Sequence, residues 1–198
     1  LKTPFNLIVV LGPTATGKTR FAVNLADAVD GEIISADSRQ IYRKMNLGTG
    51  KDYDDYTIGG RRIPYHLVDI REPGYKYSVF EYQKDFLNAF DDITERNKIP
   101  ILCGGTGLYI EAATRGYRLI NVPVNESLRE KLQDKTIEQL EDILRSYRKL
   151  HNKTDSDTKK RAIRAIEIEE YYAEHRNPEI EYPLIKPVYF GIRADREI

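Results

Sequence analysis

The first apolar run, Leu7-Ile8-Val9-Val10-Leu11, has no polar break and predicts a buried strand. Phe21, Ala22, Leu25, Ala26 and Val29 follow at the spacing of one helix face. Glu32-Ile33-Ile34-Ser35-Ala36 then reads as a second, β-branched strand. Residues 48–76 are rich in Gly, Tyr and Asp and predict mostly loop. Val79 to Glu95 carries Phe80, Phe86, Leu87 and Phe90 at helical intervals. Lys98-Ile99-Pro100-Ile101-Leu102-Cys103 is another strand, ending at Gly104-Gly105. Strands separated by helices favour an α/β fold with a parallel sheet, whose ligands bind at the strands' carboxyl ends.

The pattern changes after about Tyr117. Pro123 and Asn125 open a helical stretch with Leu128 and Leu132. Thr136-Ile137-Glu138-Gln139 fits a capping box, and Ile137, Leu140, Ile143, Leu144 and Tyr147 follow at helical spacing. A third helix is expected from about Ser156 to Glu174. Pro178, Pro183 and Pro187 then interrupt, and Val188-Tyr189-Phe190-Gly191-Ile192 returns to strand character. The expected organisation is an α/β core over 1–121, an all-helical insertion over 122–182, and a returning core strand over 183–198.

Composition narrows the class. The 198 residues suffice for one α/β domain with a small insertion. Lys+Arg and Asp+Glu both number 31, so a polyanionic partner must meet a local basic patch and not a global field. The single cysteine, Cys103, excludes an intrachain disulfide and fits a reducing cytoplasm. No apolar run approaches the ~20 residues needed to span a bilayer, so no membrane partner is expected. His66, His151 and His175 lack zinc-ligand spacing, and there is no G-x-S-x-G element.

Chemistry enters at Gly12-Pro13-Thr14-Ala15-Thr16-Gly17-Lys18-Thr19, a complete G-x-x-x-x-G-K-[ST] phosphate loop between a strand and a helix. Its glycines admit phosphate to backbone N–H groups, and the helix start adds donors and a favourable dipole. Lys18 is expected to reach the terminal phosphates and the Thr19 hydroxyl to hold Mg²⁺. Asp37-Ser38-Arg39-Gln40 follows the second strand. Asp37 there either accepts a proton from a bound acceptor or caps a helix. Ser38 and Gln40 offer groups for the edge of a base. Gly104-Gly105-Thr106-Gly107 allows close backbone approach to a ligand or is a plain turn. Lys159-Lys160-Arg161-Ala162-Ile163-Arg164 places two guanidiniums three residues apart, suited to phosphate oxygens or to a solvated helix face.

Together these segments resemble the tRNA dimethylallyltransferase family. The matching stretches are residues 12–19, Ala36 to Tyr42, Leu47 to Lys51, His66 to Asp69, Tyr77-Ser78, Gly104 to Ile110, and Lys160 to Ile168. The resemblance implies a P-loop-type core with a helical insertion. It implies transfer of a dimethylallyl group from dimethylallyl diphosphate to N6 of an adenosine beside the anticodon of tRNA. Residues 12–19 would then grip the donor's diphosphate, with Mg²⁺ at Thr19. Asp37 would take the N6 proton, Ser38, Arg39 and Gln40 would contact the flipped adenine or its neighbours, and Thr106 would lie in the reaction channel. Arg129 matches an arginine that approaches the reacting groups. Lys160, Arg161, Ala162, Ile163 and Arg164 would lie against the tRNA anticodon stem-loop. A cytoplasmic monomer is expected. Family members continue past the position of Ile198, so the chain is read as ending short of them.

Two enzymes and one binding module compete with this reading. An adenylate isopentenyltransferase shares the loop and the aspartate but modifies a free nucleotide. A small-molecule P-loop kinase has a similar core. A nucleotide-binding regulatory module has no need of Asp37 as a base.

Overall fold

The computed structural model describes residues 4–51, 53–116, 119–147, 157–175 and 182–193. Its internal packing divides the chain into two units. One comprises residues 1–119 with 182–198, and the other residues 120–181.

The first unit is built on five parallel strands. They are β1 (Leu7–Leu11), β2 (Gly31–Ser35), β5 (Tyr65–His66), β6 (Ile99–Gly104) and β7 (Pro187–Gly191), in the spatial order β5-β2-β6-β1-β7. A separate two-stranded hairpin joins β3 (Thr57–Ile58) to β4 (Arg61–Arg62). Helix α1 (Lys18–Val29) carries the chain from β1 past β6 to β2. Helix α2 (Val79–Glu95) leads into β6, and α3 (Gly107–Thr114) leaves it.

Helices cover both faces of the sheet, which explains the unbroken apolar strands. Leu7, Val9, Ile34 and Leu102 point to one layer, where they meet Tyr82, Phe86 and Phe90 of α2 and Tyr109 and Ile110 of α3. Ile8, Val10, Ile33 and Ile101 point to the other, against Ala22, Val23 and Ala26 of α1. The alternation is that of successive residues on a strand. Residues 48–76, read as loop from the sequence, also contain β3, β4, β5 and a 3₁₀ turn at Asp54–Tyr56. Each strand there is two residues long, too short to show a period.

The carboxyl ends of the strands crowd together. A Cβ on Gly104 would stand 2.3 Å from the Ala36 carbonyl oxygen, and one on Gly12 would stand 2.3 Å from that of Ile192. The loops after β1, β2, β6 and β7 can converge only because these two positions lack a side chain.

The second unit contains α4 (Glu126–Leu132), α5 (Ile137–Tyr147) and α6 (Lys159–Glu174). Leu132, Leu140, Leu144, Ala162 and Ile166 form its core, with Leu128, Ile143 and Ile163 packed against them. The Thr136 capping box is formed: the Gln139 amide donates to Thr136 Oγ1 at 3.3 Å, and Gln139 Oε1 accepts from the Thr136 amide at 3.0 Å. Ser156, where the sequence placed the start of the third helix, lies outside the described residues, as do His151 and Pro178. The helix is described from Lys159, with Thr158 as its N-cap.

Glu167 is the charged residue of this core, with its side chain 1% exposed. Arg129 grips it in a fork, Nε to Oε1 at 3.0 Å and a terminal nitrogen to Oε2 at 3.1 Å. Arg164 donates to Oε2 and to the Val122 carbonyl, and the Asn125 amide donates to Oε1 at 2.6 Å. Burial pushes the Glu167 carboxyl up, but Arg129, the Asn125 amide and Arg164 outweigh it and hold it below its ordinary 4.5.

Two predictions follow from these contacts. Gly104→Ala should cost ~3 kcal/mol of unfolding free energy, the upper range for overpacking. An unchanged denaturation midpoint would remove the close approach as a constraint. Because Glu167 binds its proton less tightly folded than unfolded, its contribution is complete above pH 4.5 and is lost as pH falls through the depressed folded value. Acid titration of the helical circular-dichroism signal should therefore show less pH dependence below pH 4.5 in Glu167→Gln, with lower stability near neutrality. Superimposable acid limbs for the two proteins would contradict this.

Candidate functional site

The phosphate loop runs from the end of β1 into α1. Gly17 is the N-cap of α1 with a left-handed φ of 78°, and no side chain caps the helix. The first-turn amides thus donate to no capping side chain. The loop is braced from within: Thr16 Oγ1 donates to the Pro13 carbonyl at 2.8 Å, and Lys18 Nζ folds back onto the same oxygen. The lysine therefore lies over the loop, within reach of any anion seated there.

A cleft of about 220 Å³ opens on this loop, lined by residues 14–19 and, facing them, by Asp37, Gln40, Thr49, Gly50, Asp55, Tyr56, Cys103 and Gly104. A second cleft of about 310 Å³ is lined by Gly12, Pro13, Thr14, Asp37, Ser38, Arg39, Gly48, Thr49, Gly105 and Thr106. Thr14, Asp37 and Thr49 belong to both. A carboxylate therefore stands on the boundary between an anion cradle and an adjoining polar cleft. Such a boundary suits passing a group from a phosphate ester on one side to an acceptor on the other.

Asp37 is held by its own loop. Its Oδ1 accepts the Arg39 amide at 2.9 Å, and its amide donates to Ser35 Oγ at 3.3 Å. The carboxylate closes a local turn and lines both clefts, and among the described residues no helix begins near Arg39 for it to cap. Thr106 secures the neighbouring residue. Its Oγ1 accepts the Ser38 amide at 3.0 Å and donates to Ser38 Oγ at 3.3 Å, while its own amide donates to the Ala36 carbonyl. Arg39 is exposed at the rim of the second cleft.

Gln40 behaves differently from the sequence expectation. It is buried, its Oε1 accepts from Ser35 Oγ at 2.8 Å, and its Nε2 donates to the Gly50 carbonyl at 3.0 Å. Its amide ties two loops together and is not free to read a base edge. Cys103 lines the first cleft, but burial pushes its thiol up to about 12, which rules out a thiolate nucleophile near neutrality.

The sequence reading missed Asp55 and Tyr56, which close the far wall of the first cleft. Nothing in their local pattern marks them. Thr49 was legible only as part of Leu47 to Lys51.

In the helical unit the basic run does not form one face. Ala162 is fully buried and so is not available to RNA, and Ile163 is half-buried with its side chain packed on the core. Arg164 and Arg129 are both turned onto Glu167. Lys160 is exposed, and Arg161 is exposed with Asp157 as its partner at 2.5 Å. Of the five residues of this helix expected at RNA, Lys160 and Arg161 are exposed.

Comparisons with known proteins give the chain's family. Residues 40–198 match the model of the IPP transferase family, and residues 5–72 match the isopentenyl transferase model. The chain is 60% identical to tRNA dimethylallyltransferase 2 of Bacteroides fragilis over 98% of its own length and 63% of that protein's. It is 61% identical to tRNA dimethylallyltransferase 1 of Parabacteroides distasonis, with the same coverage. It thus spans just under two thirds of the length of these relatives.

Among solved structures, the full-length tRNA isopentenylpyrophosphate transferase of Bacillus halodurans is 33% identical, with a TM-score of 0.55, covering 83% of this chain and 55% of that one. A eukaryotic dimethylallyltransferase acting on tRNA superposes with a TM-score of 0.71 at 20% identity, over 96% of this chain and 49% of that one, a likeness of fold. On the family-model match across residues 40–198, with the phosphate loop and its aspartate in place, the chain belongs to the IPP transferase family.

Proposed function

We propose that the protein transfers a dimethylallyl group from dimethylallyl diphosphate to N6 of an adenosine beside the anticodon of tRNA. One observation carries the reading: Asp37 lines both clefts. The diphosphate sits on residues 12–19, with Lys18 moving from the Pro13 carbonyl to the phosphate oxygens. The adenine, turned out of its stack, enters the cleft of Ser38, Arg39 and Thr106. The N6 amine attacks C1 of the donor, the bond from C1 to diphosphate breaks, and Asp37 removes the N6 proton. Negative charge growing on the leaving diphosphate is stabilised by loop amides and Lys18.

Magnesium fits the site's donor set. Among the described residues no group of three or more His, Cys, Asp or Glu stands where it would hold a metal. A phosphate-loop Mg²⁺ needs few protein ligands, since substrate phosphates and water complete its shell. Thr19, which lines the first cleft, would hold it, and the ion would neutralise charge on the diphosphate.

Lys160 and Arg161 supply sequence-independent contacts to RNA phosphates. No helix among the described residues is long and apolar enough to cross a membrane.

The test uses the full-length protein with labelled dimethylallyl diphosphate, Mg²⁺ and either unmodified tRNA or AMP. Label is expected in tRNA. Label in AMP alone would point to adenylate prenylation, and ATP-dependent phosphorylation of a small acceptor to a kinase. Asp37→Ala should lower turnover by about 10²- to 10⁴-fold while donor affinity stays within roughly twofold. An equal loss of both would remove Asp37 as the base. Lys160→Ala combined with Arg161→Ala should weaken tRNA binding and reduce its salt slope by about one to two. Arg164 is left intact because it holds Glu167. An unchanged slope would take this helix off the RNA-binding surface.

A further inference from the structure

Of the three residues that line both clefts, Thr14, Asp37 and Thr49, the last belongs to an irregular loop. The described residues between β2 and the 3₁₀ turn at Asp54–Tyr56 form no helix or strand. The loop tip is extremely open, with Leu47 97% exposed, yet Thr49 two residues later is buried and lines both clefts. Something must hold Thr49 in place, and the local bonds do only part of it. Thr49 Oγ1 donates to the Met45 carbonyl at 2.5 Å, inside the same loop.

Beside Thr49, Gly50 is tied by Gln40 Nε2 at 3.0 Å, and the buried anchor of the loop lies one residue further, at Lys51. Its side chain is 0% exposed, a costly place for an ammonium group. Nζ donates to Asp69 Oδ1 at 2.6 Å and to the Tyr42 carbonyl. Asp69 is a node for the whole region. Its Oδ2 accepts from the Tyr53 hydroxyl, its carbonyl from Arg43 Nε at 2.8 Å, and its amide donates to the Gln40 carbonyl at 2.9 Å. Burial raises the Asp69 carboxyl, but Lys51 and Tyr53 outweigh it and keep it ionised, while the bond to Asp69 pushes the Tyr53 hydroxyl up to about 12. A surface loop needs no buried ion pair to be stable, since an apolar side chain of similar volume would serve as well. What the pair adds is a fixed position.

We propose that Lys51, acting through Asp69, is a positioning residue for the transfer reaction: it fixes Thr49 as the wall between donor and acceptor clefts. With the wall in place, the donor's C1 faces the amine and water is kept out. With it loose, water attacks C1, the bond to diphosphate breaks, and the water's proton passes to solvent, yielding dimethylallyl alcohol. The proposal rests on the transfer reading above.

The experiment compares full-length wild type, Lys51→Met, Tyr53→Phe and Arg96→Ala. Arg96 pairs with the buried Glu32 of β2 and lines neither cleft, so its loss is a control for stability alone. The ratio of dimethylallyl alcohol to prenylated RNA should rise at least tenfold in Lys51→Met and about threefold in Tyr53→Phe. In Arg96→Ala it should match wild type even where melting temperature falls further. Hydrogen exchange without donor should quicken at residues 45–51 in Lys51→Met and not in Arg96→Ala. An unchanged ratio in both Lys51→Met and Tyr53→Phe, or equal exchange at 45–51, overturns the assignment. If wild type prenylates no RNA, the transfer reading fails by itself, and the exchange comparison alone decides whether Lys51 holds the wall.

Discussion

At two places the backbone comes so close to itself that no Cβ fits. Gly104 lies against Ala36, and Gly12 lies against Ile192. These contacts draw the loops after β1, β2, β6 and β7 to one edge of the sheet. The proximity of Asp37 to the phosphate loop is a consequence, as is the Thr106–Ser38 bond that spans two of those loops. A methyl group at either glycine would force apart the elements that frame both clefts. The site is therefore a property of main-chain packing first and of side chains second.

Charge is distributed to the same end. The chain is neutral overall, and its buried charges are committed inward. Glu32 is held by Arg96 and His66, Asp69 by Lys51, and Glu167 by Arg129 and Arg164. All of these but Arg164–Glu167, which lies within α6, fix the relation of two segments. Lys18 differs: it rests on a carbonyl of its own loop and has no carboxylate partner among the described residues. The cradle thus keeps one cation that an incoming anion can recruit without breaking an ion pair.

Features governed by short-range rules were legible in the sequence. The phosphate loop, the long apolar strands and the Thr136 capping box each depend on residues within a few positions of one another. The change from core to helical insertion was legible from the switch in period. Other features depend on partners far along the chain. Gln40 looked like a base-reading amide, but its burial against Ser35 and Gly50 is set by a loop ten residues away. Arg129 looked like a residue of the reacting site and Arg164 like an RNA contact, because Glu167 reads as one more helix-surface carboxylate until the fold buries it. Ala162 and Ile163 sat inside a basic run, and only the packing of α5 on α6 shows which of its residues face inward. The short strand β5 has no period to detect, and Asp55 and Tyr56 acquire meaning only as the far wall of a cleft.

The most direct measurement is a crystal structure of the full-length protein with a non-hydrolysable thio-analogue of dimethylallyl diphosphate and an anticodon stem-loop RNA. The account predicts the diphosphate on the amides of residues 15–19, the extruded adenine in the cleft lined by Ser38, Arg39 and Thr106, and N6 within about 3 Å of the Asp37 carboxylate. An adenine bound elsewhere, with Asp37 remote from its amine, would contradict it.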